Sequence, residues 1–427
     1  MAEKQNIPEI RFEGFTDPWE QRKLGELMDV TSVRRVRQED WTDEGVRFLR
    51  ARDLVAFAKN EAIEDPLFIS DEMYREYSAQ SGKVVVGDLL VTGVGTIGVP
   101  WLVTSENPVY FKDGNIIWFK NQNAIDGEFF YHSFTAHAIQ SYIKEAAGIG
   151  TVGTYTIETG KKTPIWLPLE REQRQIAAFM TSLDTLITLH QRKYDKLCTV
   201  KKSMLDKMFP KPGETEPEIR FEGFTDPWEQ RKLGDCFEFL KNNTLSRADL
   251  NGANGTARNV HYGDILIKFG DCLDGEQSDL PFITDDTVLP KFAESILREG
   301  DVIFADTAED EAAGKCVELR KLPKEPTISG LHTIPARPRF PFGTGYLGHY
   351  LNSDAYHRQL LPLMQGIKVI SVSKAALQDT QVRFPSLSEQ SAIGVALSEI
   401  DNLITLHQRK LELLRNIKKS LLDKMFV

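Results

Sequence analysis

Repetition within the chain restricts its fold more than any other feature of the sequence. The segment LITLHQRK runs from Leu186 to Lys193 and returns from Leu403 to Lys410, and the pattern KKS-x-LDKMF follows both copies. Two copies of one segment in a single chain imply two equivalent structural roles.

In each copy, apolar residues recur at alternating steps of three and four, the period of a helix that packs along a partner helix. The first copy has this stripe at Ile176, Met180, Leu183, Ile187, His190, Tyr194, Leu197, Lys201, Met204 and Met208. The second copy has it at Ile393, Leu397, Ile400, Ile404, His407, Leu411, Leu414, Lys418, Leu421 and Met425. A helix of this length measures roughly 50 Å at about 1.5 Å per residue, which is long for a globular protein.

We therefore expect the two helices to bury their stripes against each other as a coiled coil. If an approximate two-fold axis relates them, they run antiparallel. The residues expected in the contact are Ile176, Met180, Leu183, Ile187, Leu197, Ile393, Leu397, Ile400, Ile404 and Leu414. Polar residues interrupt both stripes at matching places, and such residues lower stability but fix the register. For His190 and His407 the alternative to such a role in the register is a solvent-exposed position at the edge of the helix contact.

A second repeat begins each half of the chain. The segment PEIRFEGFTDPWEQRKLG runs from Pro8 to Gly25 and recurs from Pro217 to Gly234. The two copies of this segment lie 209 residues apart along the chain, whereas the two helix copies lie 217 residues apart. The chain is therefore two similar halves with different material in the middle of each. The aromatic residues of the repeat are expected to pack in a core or interface, with a base-stacking platform as the alternative.

The material between the repeats forms two variable blocks, Leu27 to Pro168 and Asp235 to Pro385, which we expect to contain short strands and a few helices. Predicted strands lie in GVRFLRARDLV from Gly45, SGKVVVGDLLVTG from Ser81, VPWLVT from Val99, NIIWFK from Asn115, YGDILIKFGD from Tyr262 and EGDVIFADTAED from Glu299. Predicted helices are DGEFFYHSFTAHAIQSYIKEAA from Asp126 and YLGHYLNSDAYHRQLLPLMQG from Tyr346.

Composition narrows the function. The 427 residues have the apolar and charged content of a soluble globular protein, without a membrane span or signal peptide, so we expect a cytoplasmic protein that does not contact membranes. A net charge of −10 argues against a simple basic nucleic-acid binder. The four cysteines contain no CxxC pair, which indicates neither a zinc site nor a disulfide framework.

Sequence motifs of catalysis are absent or misleading. GVGTIG, from Gly93 to Gly98, matches a dinucleotide-binding pattern, but Pro100 follows where a helix would have to begin, so a strand-turn-strand corner is favoured. The acidic group at Asp306 and Glu309 to Glu311 is expected to be a solvated loop rather than a metal site. We predict no catalytic residue and no metal ligand in this chain.

The order of block, repeated helix, block, repeated helix resembles the specificity subunit of type I restriction-modification systems. The resemblance spans essentially the whole chain. It rests on PEIRFEGFTDPWEQRKLG, GVRFLRARDL, GDLLVTGVGTIG, EGDVIFADTAED, SGLHTI, PLEREQRQIA and PSLSEQSAI, which are specific only in combination.

The resemblance implies an α+β fold in which two α/β target recognition domains are separated by two long antiparallel helices that form a coiled-coil spacer with pseudo-two-fold symmetry. The implied segments are residues 1–170, first recognition domain; 171–209, first spacer helix; 210–217, linker; 218–387, second recognition domain; and 388–427, second spacer helix.

The resemblance also implies a non-catalytic reader of double-stranded DNA. Each recognition domain would read one half of a bipartite target, and the helices would set the gap and dock modification subunits, expected to be two. Those partners would methylate adenine with S-adenosylmethionine, and restriction subunits would use ATP and Mg²⁺.

Base-contacting residues vary with the target, so the predicted DNA contacts are regional. They are Arg34, Arg35, Arg37, Thr151 and Tyr155 in the first block and Lys241, Asn242, Asn243, Arg247, Lys368 and Lys374 in the second. Guanidinium groups suit guanine edges and phosphates. Two other classes stay open: a scaffold that joins two protein-binding domains, and a nucleotide-dependent enzyme built on GVGTIG.

Overall fold

The computed structural model describes residues 7–147, 153–211 and 213–427, and the chain divides into two compact units. One unit comprises Met1–Gln191 with Arg409–Val427, and the other comprises Arg192–Gln408. Each unit therefore contains one variable block, the first part of one long helix and the last part of the other. The predicted domain boundaries follow the chain in order, whereas the compact units divide both long helices; the boundaries themselves stay predictions.

The first block contains two four-stranded sheets. The strands of one sheet are, in order, Asp29–Thr31, Ile116–Lys120, Leu89–Thr92 and Pro100–Leu102, all antiparallel. Those of the other are Trp41–Thr42, Leu67–Ile69, Val46–Leu49 and Val109–Phe111, in which the last two are parallel. A further antiparallel pair joins Glu20–Lys23 to Pro164–Leu167 and so connects the opening repeat to the strand that precedes the long helix.

The second block has the same topology. One sheet has the order Phe237–Phe239, Thr333–Pro338, Val302–Ala305, Cys316–Arg320 and Cys272–Asp274. The other has the order Leu250–Asn251, Phe282–Ile283, Arg258–Val260 and Thr327–Ser329, again with a parallel last pair. The remaining pairs are Glu229–Lys232 with Gln381–Phe384 and Thr307–Ala308 with Ile370–Ser371. Strand Cys272–Asp274 has no counterpart in the sheets of the first block's described residues.

Short helices complete both blocks. In the first block they are Leu24–Leu27, Ala51–Lys59, Asp71–Ser81, Gly127–Thr135, His137–Ala146 and Ile157–Lys162, with a 3₁₀ turn at Gln38–Asp40. In the second block they are Leu233–Cys236, Tyr262–Ile267, Tyr346–Asn352, Asp354–His357 and Lys374–Asp379, with 3₁₀ segments at Arg247–Asp249, Asp286–Ser295 and Leu361–Leu363.

Some of the predicted elements were wrong. GVRFLRARDLV is a strand only to Leu49, because the Asp53 carboxylate accepts the Arg50 N–H and starts a helix there. The strand expected from Tyr262 is a helix, with the His261 ring as its N-terminal cap. In SGKVVVGDLLVTG only Leu89–Thr92 forms a strand.

The two helices predicted before the long ones are each interrupted. The first stops at Ala136 and the second at Ser353, and both of these residues have extended backbone with ψ near 155° (156° and 155°). The interruption therefore falls at the same place in both blocks, although its neighbours in sequence differ.

The long helices have the predicted extent and the fold class is confirmed. They span Glu170–Lys207 and Leu387–Met425. Every residue of both predicted stripes is buried or half-buried. Within the first unit the helix segments run antiparallel, since Asp184 bonds Lys418 while Gln191, further along, bonds the earlier residue Arg415.

Each opening repeat binds the start of one long helix through a bidentate ion pair. Arg11 donates to both carboxylate oxygens of Glu172 at 2.7 Å, and Arg220 donates to those of Glu389 at 2.7 and 2.8 Å. Both glutamates are fully buried. Removing one partner of such a pair costs about 3–5 kcal/mol, because the other charge is left buried and unpaired.

The same repeats bind the end of the other long helix. The Ile10 N–H donates to the Lys424 carbonyl at 3.0 Å, and the Ile219 N–H donates to the Lys207 carbonyl at 2.9 Å. The Trp19 ring contacts Phe426 edge to face, in a core that also contains residues of the first long helix. Packing is thus confirmed as the role of this aromatic residue.

A half-buried layer of charged side chains lies beside the helices in each unit. In the first unit Lys418 Nζ is 2.5 Å from Asp184, next to His132. In the second, Lys201 Nζ is 2.5 Å from Asp401 and 2.7 Å from Asp271.

In the second unit the layer also contains a histidine, so its side chains are of the types that bind metal ions. The side chains of Asp271, His349 and Asp401 lie within 4.8 Å of one another. The two ring nitrogens of His349 face different carboxylates, however, Nδ1 at 3.1 Å from Asp271 and Nε2 at 3.8 Å from Asp401. The lysine ammonium already bridges those carboxylates, so the group is an ion-pair network.

The pKa of His132 predicts a pH dependence of stability. Burial lowers this pKa to about 4, and neither ring nitrogen has a hydrogen-bond partner among the described residues. Because the unfolded chain takes up this proton near pH 6.5 and the folded chain does not, stability is present above pH 6.5 and is lost as the pH falls toward 4. From pH 7 to pH 5 this group alone lowers the free energy of unfolding by about 2 kcal/mol.

Urea unfolding at pH 7, 6 and 5 measures this loss. His132→Phe should remove about 2 kcal/mol of it, whereas His137→Phe, at an exposed position, should not. An unchanged pH dependence in His132→Phe would show that another group is responsible.

Candidate nucleic-acid interface

In each block, one strand leads from a group of loops to the long helix: Ile116–Lys120 in the first block and Thr333–Pro338 in the second. The Gly343 N–H, beyond strand Thr333–Pro338, donates to Gln390 Oε1 at 2.9 Å. The Asp126 N–H, beyond strand Ile116–Lys120, donates to Gln173 Oε1 at 3.1 Å. The loops at the other ends of these strands therefore lie one strand length, roughly 17–20 Å at about 3.4 Å per residue, from the strand ends nearest the helix.

Backbone hydrogen bonds hold these remote loops together in the first block. The Tyr155 N–H donates to the Gly93 carbonyl at 2.9 Å, and the Gly93 N–H donates to the Asn115 carbonyl at 2.8 Å. The Ser32 hydroxyl donates to the Ile116 carbonyl at 3.4 Å. Four separate parts of the block thus meet at one end of the sheet.

The second block has the same pair of backbone bonds at the same place. The Val372 N–H donates to the Asp306 carbonyl at 2.8 Å, and the Asp306 N–H donates to the His332 carbonyl at 3.1 Å. The Asn243 N–H donates to the Ser329 carbonyl at 2.8 Å, which adds the segment after strand Phe237–Phe239 to the group.

We name these loop groups the distal surfaces. In the first block the distal surface comprises residues 32–37, 93, 112–115 and 153–156, and in the second it comprises residues 240–247, 306, 330–332 and 366–374. Each ends at a short helix capped by a hydroxyl, since Thr156 accepts from the Thr159 N–H and Ser373 accepts from the Ala376 N–H.

The predicted arginines of the first block lie on its distal surface and are exposed. Arg34 contacts Glu76 at 3.0 Å, Arg35 contacts Asp113 at 2.8 Å and Arg37 contacts Glu39 at 3.3 Å. Exposed ion pairs contribute little to stability, so phosphates or guanine edges can replace these carboxylates. The hydrogen bond to Asp113 raises the pKa of Arg35, which keeps this guanidinium charged.

The prediction for Tyr155 was wrong, and Thr151 lies outside the described residues. The Tyr155 side chain is buried, its hydroxyl is 2.6 Å from the Thr163 hydroxyl, and burial raises its pKa well above the usual range. Val372 has the equivalent place in the second block and is buried as well. Both side chains anchor the distal loops and are inaccessible to DNA.

Most of the predicted residues of the second block are exposed. Lys241, Asn242, Lys368 and Lys374 lie on its distal surface. Arg247 donates to both oxygens of Asp264 at 2.7 and 2.6 Å, and its side chain keeps 53% of its exposure. These residues are placed for contact, and which of them touch DNA stays a prediction.

Asn243 is the exception, because its side chain is buried. Its amide donates to the Ser329 carbonyl at 2.8 Å and accepts from the Leu245 N–H at 3.0 Å. With both ends of the amide bonded, Asn243 shapes the loop and cannot contact a base.

The sequence prediction missed the turn that precedes strand Ile116–Lys120 in the first block and strand Thr333–Pro338 in the second. In the first block this turn contains Asp113, the partner of Arg35, and in the second it contains His332, which is 3.3 Å from Asp306. The phrase SGLHTI includes that histidine, so its signal was present. Its proximity to an aspartate far away in sequence was not readable from the chain.

GVGTIG lies close to this surface but has no helix behind it. Strands Leu89–Thr92 and Pro100–Leu102 pair as an antiparallel hairpin, closed by a bond from the Gly98 N–H to the Thr92 carbonyl at 2.8 Å. The strand-turn-strand prediction is confirmed, and the segment lacks the helix N-terminus that a pyrophosphate needs.

Two blocks that share a topology and present equivalent loop groups define a duplicated recognition protein. Residues 16–198 and 225–416 each match the family described as "Type I restriction modification DNA specificity domain". These ranges cover most of the sequence, and the chain belongs to this family. It is a specificity subunit, the non-catalytic DNA-recognition component of a type I restriction-modification system.

Known relatives agree with this assignment. The MjaVIII specificity subunit of Methanocaldococcus jannaschii is 21% identical over 90% of this chain and 92% of its own length. The MjaIX specificity subunit of the same organism is 22% identical over 68% of this chain and 66% of its own length. The crystal structure of a type I S subunit from M. genitalium is similar in fold, with a TM-score of 0.57, 14% identity and 99% of both chains covered. Separately, among the described residues no helix has the length and hydropathy of a membrane span.

The distal surface of the first block predicts how one substitution changes DNA binding. In the assembled complex, Arg35→Ala should weaken binding and reduce the slope of log K against log salt by about 0.9 if one phosphate contact is lost. Arg75→Ala removes an exposed helical arginine outside this surface and is the control. Equal affinities and slopes for both variants, from fluorescence titrations over a range of salt, would exclude Arg35 from the interface.

Proposed function

We propose that this chain recognises a bipartite DNA sequence, with one half read by each variable block. The observation that supports this proposal is the duplicated distal surface, built on the same backbone bonds but with different side chains. Arg35 and Asp113 lie on one copy, and Asn242 and His332 lie on the other. Equivalent scaffolds with different contact groups suit two different half-sites.

The two long helices set the gap between the half-sites. Each is a continuous helix whose first part belongs to one unit and whose last part belongs to the other. A helix has a fixed rise per residue, and the ion pairs of Lys201 and Lys418 specify one register of the helix segments. A fixed length with a fixed register gives a fixed gap.

Two modification subunits dock on the outer faces of these helices. Leu186 and its copy Leu403 are 46% and 44% exposed, and Leu189 and its copy Leu406 are 48% and 45% exposed. Val200 and its copy Ile417 are 38% and 40% exposed. The repeat therefore presents the same apolar residues twice, and equal surfaces fit two copies of one partner.

Catalysis belongs to the partners in this proposal. Modification subunits bind S-adenosylmethionine and methylate adenine, and restriction subunits use ATP and Mg²⁺. The net charge of −10 fits such a division, because the partner subunits can supply much of the contact to phosphates. A strongly acidic modification subunit would argue against this distribution of charge.

Helix length tests the gap mechanism. One heptad inserted into each long helix adds about 10 Å, which corresponds to roughly three base pairs. We expect sequencing of methylated adenines to show the same two half-sites with a longer gap. Duplication of a heptad already present in each helix keeps the stripe in phase, whereas a two-residue insertion, which turns the following stripe by about 200°, is the out-of-phase control. A change in the half-sites themselves would contradict the proposal.

The exposed leucines test the docking surface. Leu186→Asp with Leu189→Asp should leave one modification subunit bound, and adding Leu403→Asp with Leu406→Asp should leave none, because a buried carboxylate opposes association. Native mass spectrometry gives the stoichiometry. Ile267→Asp, at an 86% exposed position of the second block, is the control. Two modification subunits retained by the fourfold variant would show that docking occurs elsewhere.

A further inference from the structure

We propose that His332 reads one base pair of the half-site bound by the second block, by accepting a hydrogen bond from an exocyclic amino group in the major groove. The ligand chemistry is the amino group of adenine N6 or cytosine N4. This inference rests on the proposed function and assigns a specificity-determining role to one residue of the distal surface.

The backbone of His332 has an uncommon conformation that is held in place. Its φ is +54°, in the left-handed region that non-glycine residues rarely adopt. Its carbonyl accepts from the Asp306 N–H at 3.1 Å, and strand Thr333–Pro338 begins at the next residue. Such conformations cluster where a side chain has to be presented in one orientation, and the His332 side chain keeps 47% of its exposure.

A carboxylate lies beside one nitrogen of the His332 ring. His332 Nδ1 is 3.3 Å from Asp306 Oδ1, and that oxygen is itself fixed by the Thr307 hydroxyl at 2.7 Å. Because the carboxylate favours a proton on Nδ1, the neutral ring has its lone pair on Nε2. Nε2 has no protein partner among the described residues.

An aromatic ring restricts the imidazole further. Tyr262, the first residue of a short helix, contacts the His332 ring edge to face, with centroids 5.3 Å apart and planes at 77°. With a carboxylate on one side and a ring on another, the acceptor is oriented before DNA arrives. Recognition then needs little side-chain ordering, which favours discrimination between bases.

A fixed acceptor distinguishes bases by their major-groove edges. Adenine and cytosine present amino donors there, whereas guanine O6 and thymine O4 are acceptors that leave Nε2 unpaired or repelled. His332 should therefore favour adenine or cytosine at one position of one strand. A bidentate contact from arginine, such as Arg35 of the first block can provide, has the opposite preference.

Sequencing of methylated adenines in cells that express the complete complex tests this role. His332→Ala should relax one position in one half-site, raising methylation of sites with guanine or thymine there by roughly 5- to 100-fold relative to the preferred base. Asp306→Asn, which removes the orienting carboxylate, should relax the same position by a smaller factor. The other half-site should not change.

Lys321→Ala is the matched control. Lys321 is also an exposed non-glycine residue with positive φ, +47°, but it follows strand Cys316–Arg320 at the end of the sheet remote from the distal surface. It should leave the recognised sequence unaltered.

The possible outcomes separate this inference from the function on which it rests. If the wild-type complex methylates sites that are not bipartite, the proposed function fails. If the sites are bipartite and His332→Ala leaves every position unchanged, only the role of His332 fails. Relaxation in both half-sites would also overturn it.

If the His332→Ala complex no longer methylates DNA, the sequence methylated by the His332→Gln complex decides whether His332 reads a base. Glutamine keeps a polar side chain of similar length and can bond the adenine edge, so a shift toward adenine at one position supports the inference. An unchanged sequence overturns it, as does loss of methylation by both variants in a complex that still assembles.

Discussion

Each unit depends on the burial of one helix end against chain that is distant in sequence. Phe426 packs against Trp19 and Phe129 in the first unit, and Phe209 packs against Tyr346 and Trp228 in the second. Neither block has its full core without a helix end, and the apolar area removed from water by an aromatic side chain is large. The opening repeat, which is identical in its two copies, contributes Trp19 to one of these cores and Trp228 to the other.

The two ends of the strands have different roles: one end is attached to a long helix, and the other carries the distal loops. At one end of the strands, glutamine side chains of the long helices hold the block through Gln173 and Gln390. At the other end, the same pair of backbone bonds links the distal loops in both blocks, whereas the side chains on those loops differ. Backbone hydrogen bonds do not depend on side-chain identity, so they can hold the loops in place while the side chains change. The recognition surface can therefore differ with its target while the core stays the same.

The polar layers show how far the two units are equivalent. His132, Asp184 and Lys418 in one unit have the same places as His349, Asp401 and Lys201 in the other. The second unit adds Asp271, which directly precedes its extra strand and gives its histidine a carboxylate neighbour on Nδ1. In the described part of the first unit the sheet has no such strand, and burial without such a neighbour lowers the pKa of His132.

The sequence alone determined the long helices, the two halves and the family, because a stripe of period 3.5 and an exact repeat are local signals that need no partner to be read. It also predicted DNA contacts near the start of each block, from Arg34 to Arg37 and near Lys241, and these stay predictions. The tertiary structure decided which of those side chains are accessible. Tyr155 and Asn243 are buried because strands remote in sequence cover them, and His332 became a candidate only when folding placed it beside Asp306. Burial and pairing depend on long-range packing, which no local pattern in the chain encodes.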